Sequence, residues 1–324
     1  MKKTPCKPIG ANAAASAAGA LHSASSRRAK RLAPALLGSL LAIAMAMPGV
    51  TTAGTLYNGW NYAIDSFIGS SGFGNGFNDG SGGPLYEERG LAYRQTDTKV
   101  YFAISGGMPL TGVPNTSALN GTIAPGDLYL NFSSHTLKTT GDFKDPGKVF
   151  AVRFASANDS LGNTTLNPKT NLGLFTNLTV VDLASPDNIG YNTLQDYYNA
   201  GYGAPSQAMG DLNTTTDVIN YFGNGDMYAN ISAGTEVTGA SFSLITDPAA
   251  FATLGLDFAH FGADGPELFG FSLNRSALPG GPFTAHFFEE CINDGVALKG
   301  QIPEPGTLAL LGLALAGVPL RRRR

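Results

Sequence analysis

Short segments in which apolar residues alternate with other residues fill the middle of the chain, and they constrain its fold most. In the segment 149–155, Phe150, Val152 and Phe154 fall on one side of an extended chain, as expected for a strand with one buried face. The same alternation recurs in the segments 99–105, 127–133, 178–182, 241–246, 268–273, 284–290 and 296–298. Clusters of Gly, Asn, Asp and Pro separate these segments and favour turns. The pattern predicts a mainly β chain folded as an antiparallel β-sandwich of jelly-roll or lectin-like type.

A few short helices are expected between the strands. Asp247 precedes Pro248, and an acidic cap followed by proline at the first helical position predicts a helix over 247–254. The segment 193–200 is a second helix candidate. Because no linker interrupts residues 54–301, and 248 residues are ample for a sizeable core, we predict one exported domain over this range.

Charge is distributed unevenly along the chain. Residues 54–301 hold 10 basic and 23 acidic residues, a balance of −13, whereas residues 1–53 hold seven basic residues and no acidic one. An acidic body disfavours nucleic acid as a partner, because binding nucleic acid needs a basic surface. Two cysteines in 324 residues also exclude a disulfide-stapled scaffold.

The N-terminal segment has the pattern of an export signal. A basic cluster at 27–31 precedes an apolar stretch at 32–47, and small residues at 51–53 could be followed by cleavage after Ala53. A positive end, an apolar stretch and small residues are the parts of a secretory signal peptide. We predict that residues 1–53 direct the chain into the general secretion route. An uncleaved membrane anchor is the alternative.

The C-terminus has three successive parts. The motif Pro303-Glu304-Pro305 precedes an apolar stretch at 306–320. As a helix, this stretch would span about 22 Å, so tilt or membrane thinning would have to fit it to a hydrocarbon core of about 30 Å. The chain ends in Arg321, Arg322, Arg323 and Arg324. Four arginines predict a transmembrane helix that stops with its end in the cytoplasm, and a plain tail anchor is the simplest interpretation.

These three parts, in this order, resemble the PEP-CTERM sorting signal of bacterial exosortase substrates. The resemblance covers residues 303–324. It implies recognition by a membrane-embedded exosortase, cutting near the motif after transient anchoring in the inner membrane, and delivery to the surface or medium of a Gram-negative, polysaccharide-producing bacterium. Segments 60–67, 89–93, 100–107 and 285–298 also resemble other exosortase-sorted surface proteins, which implies a surface or matrix role without an assigned activity.

The residues give little indication of catalysis. His286 and Cys291 are five positions apart, so on a continuous strand they would face opposite sides and could not pair as base and nucleophile. Glu87 and Glu88 are adjacent and would also point in opposite directions. The segment 290–294 places apolar Ile292 where sandwich glycosidases often carry a central acid. We therefore predict no catalytic residue, with a secreted glycan hydrolase as the least favoured alternative.

Calcium is the metal that the sequence allows best. Asp65, Asn75, Asn78 and Asp79 lie in or beside a glycine-rich loop, and oxygen ligands of this kind suit Ca²⁺ in an exported acidic domain. The same residues are also typical of simple turns. His and Cys are too few for a convincing zinc site, so no cofactor is predicted beyond a structural calcium ion.

Sugar binding rests on aromatic residues. Trp60 is the single tryptophan, and tyrosines cluster around 190–203. Exposed aromatic rings can stack on sugars, but large aromatic side chains are more often part of a core. The leading hypothesis is thus a non-catalytic, exosortase-processed surface or matrix protein in contact with extracellular polysaccharide, and a calcium- or carbohydrate-binding module is the alternative.

Overall fold

The computed structural model describes ten stretches of the chain. They are residues 54–65, 84–116, 121–133, 137–139, 142–143, 145–158, 172–181, 209–223, 227–292 and 294–303. The predicted signal peptide, nearly all of the C-terminal sorting segment, the helix candidate at 193–200, and Asn75, Asn78 and Asp79 lie outside the described residues. Within those stretches, no helix has the length and apolar character needed to cross a bilayer.

The described residues are mainly β. The strands are β1 (Thr55–Tyr57), β2 (Trp60–Ile64), β3 (Glu88–Gln95), β4 (Lys99–Gly106), β5 (Val113–Pro114), β6 (Thr122–Ile123), β7 (Leu128–Asn131), β8 (Lys138–Thr139), β9 (Asp142–Phe143), β10 (Val149–Arg153), β11 (Gly173–Val181), β12 (Asn230–Glu236), β13 (Ser243–Ile245), β14 (Glu267–Asn274), β15 (Gly281–Phe288) and β16 (Gly295–Ile302). The helices are α1 (Thr215–Phe222) and α2 (Pro248–Thr253). Short 3₁₀ turns occupy Pro84–Tyr86, Pro146–Lys148, Ala259–Phe261 and Arg275–Ala277.

Two six-stranded antiparallel sheets form the body. The first sheet has the order β1-β2-β3-β4-β14-β13, and the second has the order β12-β11-β10-β7-β15-β16. Two small two-stranded ribbons, β5-β6 and β8-β9, accompany them. Neither large sheet closes on itself. The prediction of a mainly β, antiparallel fold with few helices is therefore confirmed, and all eight segments with alternating residues contain strands of these two sheets.

The inner faces of the two sheets share one apolar core, as in a sandwich. Its buried residues come from both sheets. Aromatic rings meet across the interface: the ring centroid of Tyr93 in the first sheet lies 5.0 Å from that of Phe283 in the second. The rings of Phe154 and Phe269 are 5.6 Å apart. Burying these large apolar surfaces against each other is the main stabilising contribution to such a fold.

Helices and loops also cover the outer faces. On the first sheet, Phe251 of α2 packs against Trp60, with ring centroids 6.3 Å apart. On the second sheet, Phe222 of α1 packs against Phe288 at 5.8 Å. Because both sheets carry buried residues on both faces, several strands are apolar on two sides and their alternation is incomplete.

The helix expected over 247–254 is confirmed as α2. Asp247 caps it, with Oδ1 accepting a hydrogen bond from the backbone N–H of Ala249 at 2.9 Å. Helix α1 was not expected. The Thr214 hydroxyl accepts a hydrogen bond from the N–H of Asp217 at its start, and Gly223 ends it in the left-handed conformation, with φ of 73°, as at many helix ends.

Neighbouring residues seal the outer edge of β16, the last strand of the second sheet. Ala297 donates to the carbonyl of Met209 (3.3 Å) and accepts from the N–H of Asp211 (2.8 Å). Lys299 donates from its N–H to Asp211 Oδ2 (2.7 Å) and accepts from Asn61 Nδ2 (2.9 Å). Burial raises the pKa of Asp211 to about 6, although the hydrogen bond from Lys299 opposes that rise. These contacts occupy backbone groups that an added strand would otherwise use.

Candidate functional site

Of the four calcium candidates, only Asp65 lies among the described residues. Asp65 is buried, its N–H donates to the carbonyl of Arg89, and its Oδ1 accepts from the N–H of Gly210 at 3.2 Å. Asn75, Asn78 and Asp79 lie outside the described residues. In the part of the chain that the structure describes, no group of three or more His, Cys, Asp or Glu side chains is arranged to hold a metal ion. Asp65 thus has a structural task, which is to tie β2 to the segment around Gly210.

Trp60 lies in the covered outer face of the first sheet. Its exposed fraction is 0%, and its indole Nε1 donates to the carbonyl of Leu254 at 2.9 Å. Tyr101 and Phe251 contact the ring edge-on, with centroid distances of 6.4 and 6.3 Å. The ring presents no face to solvent on which a sugar could stack. In this structure Trp60 is therefore a core residue and not a surface residue that could bind a ligand.

His286 and Cys291 belong to different clusters. His286 is buried on the outer face of the second sheet, stacked on Tyr129 at 4.8 Å, and its Nδ1 shares a hydrogen bond of 2.8 Å with the hydroxyl of Tyr221. Burial lowers the pKa of His286 to about 3, so the imidazole is neutral near pH 7. Cys291 follows β15 and packs with Met108 and Ile123 in another apolar cluster. The two side chains do not form a nucleophile–base pair.

Acidic side chains meet at the end of the sandwich where β3 and β16 begin. We call Glu88, Glu289 and Asp294 the carboxyl cluster; their exposed fractions are 1%, 0% and 2%. The backbone N–H of Glu88 donates to Asp294 Oδ2 at 2.6 Å, and the N–H of Gly295 donates to Asp294 Oδ1 at 2.8 Å. Asp294 thereby links the starts of β3 and β16. Glu88 and Asp294 are 206 residues apart in sequence.

Glu88 and Glu289 are an interacting carboxyl pair. Burial raises the pKa of both groups, the Asp294 carboxylate raises both further, and the hydrogen bond between them favours ionisation of Glu88 over Glu289. Among the described residues, no other donor reaches the carboxyl oxygens of this pair. A proton held between the two groups is the arrangement that satisfies them best, because two buried like charges repel.

The surroundings close the carboxyl pair off from solvent. A Cβ added at Gly106 would come within 2.8 Å of Glu88 Oε2, so the backbone of β4 lies directly against this carboxyl group. Nearby, Glu290 Oε2 accepts from the N–H of Ala124 at 2.7 Å, and the Glu290 N–H donates to the Ala124 carbonyl. Chemically, this site can hold a proton, but it offers a substrate no open cleft between two carboxylates.

Sequence reasoning considered Glu87 with Glu88, and separately the segment 290–294, but it did not consider Glu289 and missed the meeting of these segments. Glu87 and Glu88 lie just before or at the start of β3, and Glu289 and Glu290 lie just after β15. Two acidic pairs at the ends of β segments were a usable signal. The pairing of Glu88 with Glu289, however, depends on how distant strands are placed.

A small cleft of about 230 Å³ lies at the other end of β3 and β16. Its lining includes Leu56, Asn61, Gln95 and Gln301. Arg94 also lines it, but its guanidinium already donates to the carbonyls of Leu254 and Asn58. The volume is below the range of about 300–1,000 Å³ that is typical of small-molecule sites, so the cleft does not define a ligand.

The same end of the molecule holds the residues that precede the sorting segment. We call Gln301, Ile302 and Pro303 the C-terminal junction. The Tyr93 hydroxyl has two acceptors within reach, Gln95 Oε1 at 2.9 Å and the Gln301 carbonyl at 3.2 Å, and Arg275 Nη2 donates to the Pro303 carbonyl at 2.6 Å. Ile302 is 2% exposed and belongs to the core between the sheets. The folded body therefore continues to the first proline of the Pro-Glu-Pro motif.

Comparison with protein families identifies the C-terminal segment. Residues 301–324 match the family described as the PEP-CTERM protein-sorting motif, so the expected resemblance is confirmed and the chain is a PEP-CTERM protein. That motif marks an exported protein that an exosortase sorts to the cell surface. No curated protein and no solved structure matches the chain.

Proposed function

We propose that the chain is a structural or adhesive component of the cell surface or extracellular matrix, without catalytic activity. In this proposal residues 1–53 direct it into the general secretion route of a Gram-negative bacterium. The tail at 306–324 then holds it in the inner membrane until an exosortase cuts near Pro303-Glu304-Pro305. The exported sandwich acts on or within extracellular polysaccharide.

One observation carries the proposal: the sorting motif directly follows a sandwich whose sheet faces are covered. The motif determines where the protein goes. The body that it delivers has covered sheet faces and a sealed edge at β16. Such a body suits a durable structural part, because covered sheet faces and a sealed strand edge in the described residues oppose local unfolding there.

A glycan hydrolase is the weaker alternative. Glu88 and Glu289 are close together, as acid hydrolysis of a glycoside requires, yet their exposed fractions are 1% and 0%. A substrate could reach this pair only after the residues that bury it had moved. This burial supports a structural role for the pair.

Binding of sugar or calcium also remains a proposal. Neither Trp60 nor Asp65 supports it, because Trp60 is covered and Asp65 already bonds Gly210. The acidic balance of the body and its exported location are what favour Ca²⁺. A rise in Tm on adding Ca²⁺ at constant ionic strength, reversed by a chelator, would support this second function.

Replacing the motif tests the sorting step. With Pro303, Glu304 and Pro305 all changed to alanine, we expect full-length protein to accumulate in the inner membrane and surface protein to fall at least tenfold. Immunoblots of membrane and surface fractions measure both. Normal surface delivery of this variant would contradict the role given to the motif.

The matched control is a double variant of the buried carboxyl pair, Glu88→Gln with Glu289→Gln. It removes all acid–base capacity from the pair while keeping the size of the side chains. We expect normal sorting and an unchanged surface phenotype. Loss of a phenotype with normal folding and sorting would instead favour the hydrolase.

A further inference from the structure

We infer that Arg275 and Tyr93 latch the C-terminal junction onto the folded body, and that this latch sets the upstream limit for cutting at the sorting motif. The inference rests on the proposed processing by an exosortase. It adds that the mature chain ends at Pro303 or beyond, because residues before Pro303 are held within the sandwich.

The latch ties the end of the second sheet to the first sheet. Arg275 lies directly after β14, and its own backbone N–H donates to the Thr98 carbonyl at 2.9 Å. From that fixed turn, its guanidinium donates to the Pro303 carbonyl. The Tyr93 hydroxyl on β3 lies 3.2 Å from the Gln301 carbonyl and shares its proton with Gln95 Oε1 at 2.9 Å. A side chain of β3 and a side chain of the turn after β14 thus both contact the last described residues of the chain.

The packing beneath these hydrogen bonds reinforces them. Ile302 is buried between the sheets, and its backbone pairs with Gly281 in the full-length register of β15 and β16. Tyr93, which is 5% exposed, packs its ring on Phe102 and Phe283. Burial raises the pKa of Tyr93 above its ordinary value, with Arg275 opposing that rise. Its hydroxyl therefore stays protonated and able to donate near pH 7.

Paired strand residues resist proteolysis, because a protease needs locally unfolded, extended chain. Cutting before Pro303 would require Ile302 to leave the core and β16 to separate from β15. Pro303 is the last described residue, and its carbonyl accepts from Arg275. Only two residues, Glu304 and Pro305, lie between Pro303 and the apolar stretch that begins at Gly306, and the three steps from Pro303 to Gly306 span at most about 11 Å. We therefore expect cutting in the short interval that starts at Pro303.

Two variants release the latch in different ways. Arg275→Gln removes the donor to the Pro303 carbonyl, while Tyr93→Phe removes a single hydroxyl and keeps the buried ring. Arg89→Gln is the matched control, since Arg89 Nη1 likewise donates to a backbone carbonyl, that of Asp264 at 2.7 Å, at the opposite end of β3. Each full-length variant is produced in an exosortase-bearing host, and intact masses are measured for the protein recovered from surface and medium.

We expect the natural protein and Arg89→Gln to share one C-terminus at Pro303 or later. Arg275→Gln should give ragged ends that extend upstream of Pro303, in at least a threefold greater fraction than the control, and Tyr93→Phe should shift the ends in the same direction. Melting curves show whether a variant has lost its fold. If Arg275→Gln has lost it, the C-terminal ends of Tyr93→Phe test the latch instead.

The outcomes separate the two levels of the proposal. A natural protein cut upstream of Pro303, or identical ends in all variants, overturns the latch while leaving exosortase processing in place. If the natural protein keeps Arg321–Arg324, an exosortase has not processed it. The latch then cannot act as a limit on cutting.

Discussion

At the scale of single residues, the buried Glu88–Glu289 pair links stability to pH. An unfolded glutamate has a pKa near 4.3, whereas burial and the nearby Asp294 carboxylate raise the pKa of both groups in the folded protein. The folded state therefore binds more protons than the unfolded state at intermediate pH. Stability from this source is fully present below about pH 4.3 and is lost as pH rises towards the folded pKa. Asp211, with a pKa of about 6, contributes in the same direction.

Glu289→Gln should remove much of this loss. The amide keeps the shape of the protonated acid and cannot ionise beside Glu88. We expect the variant to be more stable than the natural protein by about 1–3 kcal/mol at pH 7.5, with a smaller difference at pH 4.5. Urea unfolding at the two pH values measures this. Glu236→Gln, at an exposed carboxyl, is the control, and an equal effect of both variants would mean that net charge alone is responsible.

Residues whose role depends on distant partners were the hardest to interpret from sequence. Trp60 has the same local sequence whether it binds sugar or fills a core. Its burial follows from the covering of β2 by α2 and by Leu254, which lies 194 residues away. The carboxyl cluster likewise exists only because β3 and β16 run side by side. Local patterns contain no information on such contacts.

At the scale of elements, the sequence was most informative where local rules decide the structure. Alternation located the ends of β4 and β14 to within one residue, and those of β7, β10 and β15 to within three, because each strand turns one apolar side towards a core. The cap at Asp247 located α2. Helix α1 carries comparable signals in Thr214, Asp217 and Gly223. It was overlooked because no alternation drew attention to the segment.

The cap of α1 provides a direct test. The Thr214 hydroxyl accepts from the N–H of Asp217 and donates to its Oδ2 at 2.7 Å. Thr214→Ala should lower the free energy of unfolding by about 1 kcal/mol, because an N–H at the helix start loses its partner. Thr253→Ala, which removes an exposed hydroxyl bonded to the Ala249 carbonyl within α2, should change it by less than about 0.5 kcal/mol. Chemical denaturation measures both, and equal losses would contradict the capping role.

At the scale of the whole molecule, the two ends of β3 and β16 have different tasks. One end holds the carboxyl cluster, and the other holds the C-terminal junction. The eight residues of β16 place them about 23 Å apart. In the proposed membrane-anchored form, the junction would lie next to the bilayer and the carboxyl cluster further from it. The sorting segment therefore begins at a fixed position on the folded body.

The intact mass of the protein recovered from the cell surface or medium tests the central claim most directly. The account predicts a species that starts near Gly54 and ends at or shortly after Pro303, alone or with an added group, so that both terminal signals have been removed. A surface species that retains residues 306–320 and Arg321–Arg324 would contradict it, because the chain would then be a plain tail-anchored protein.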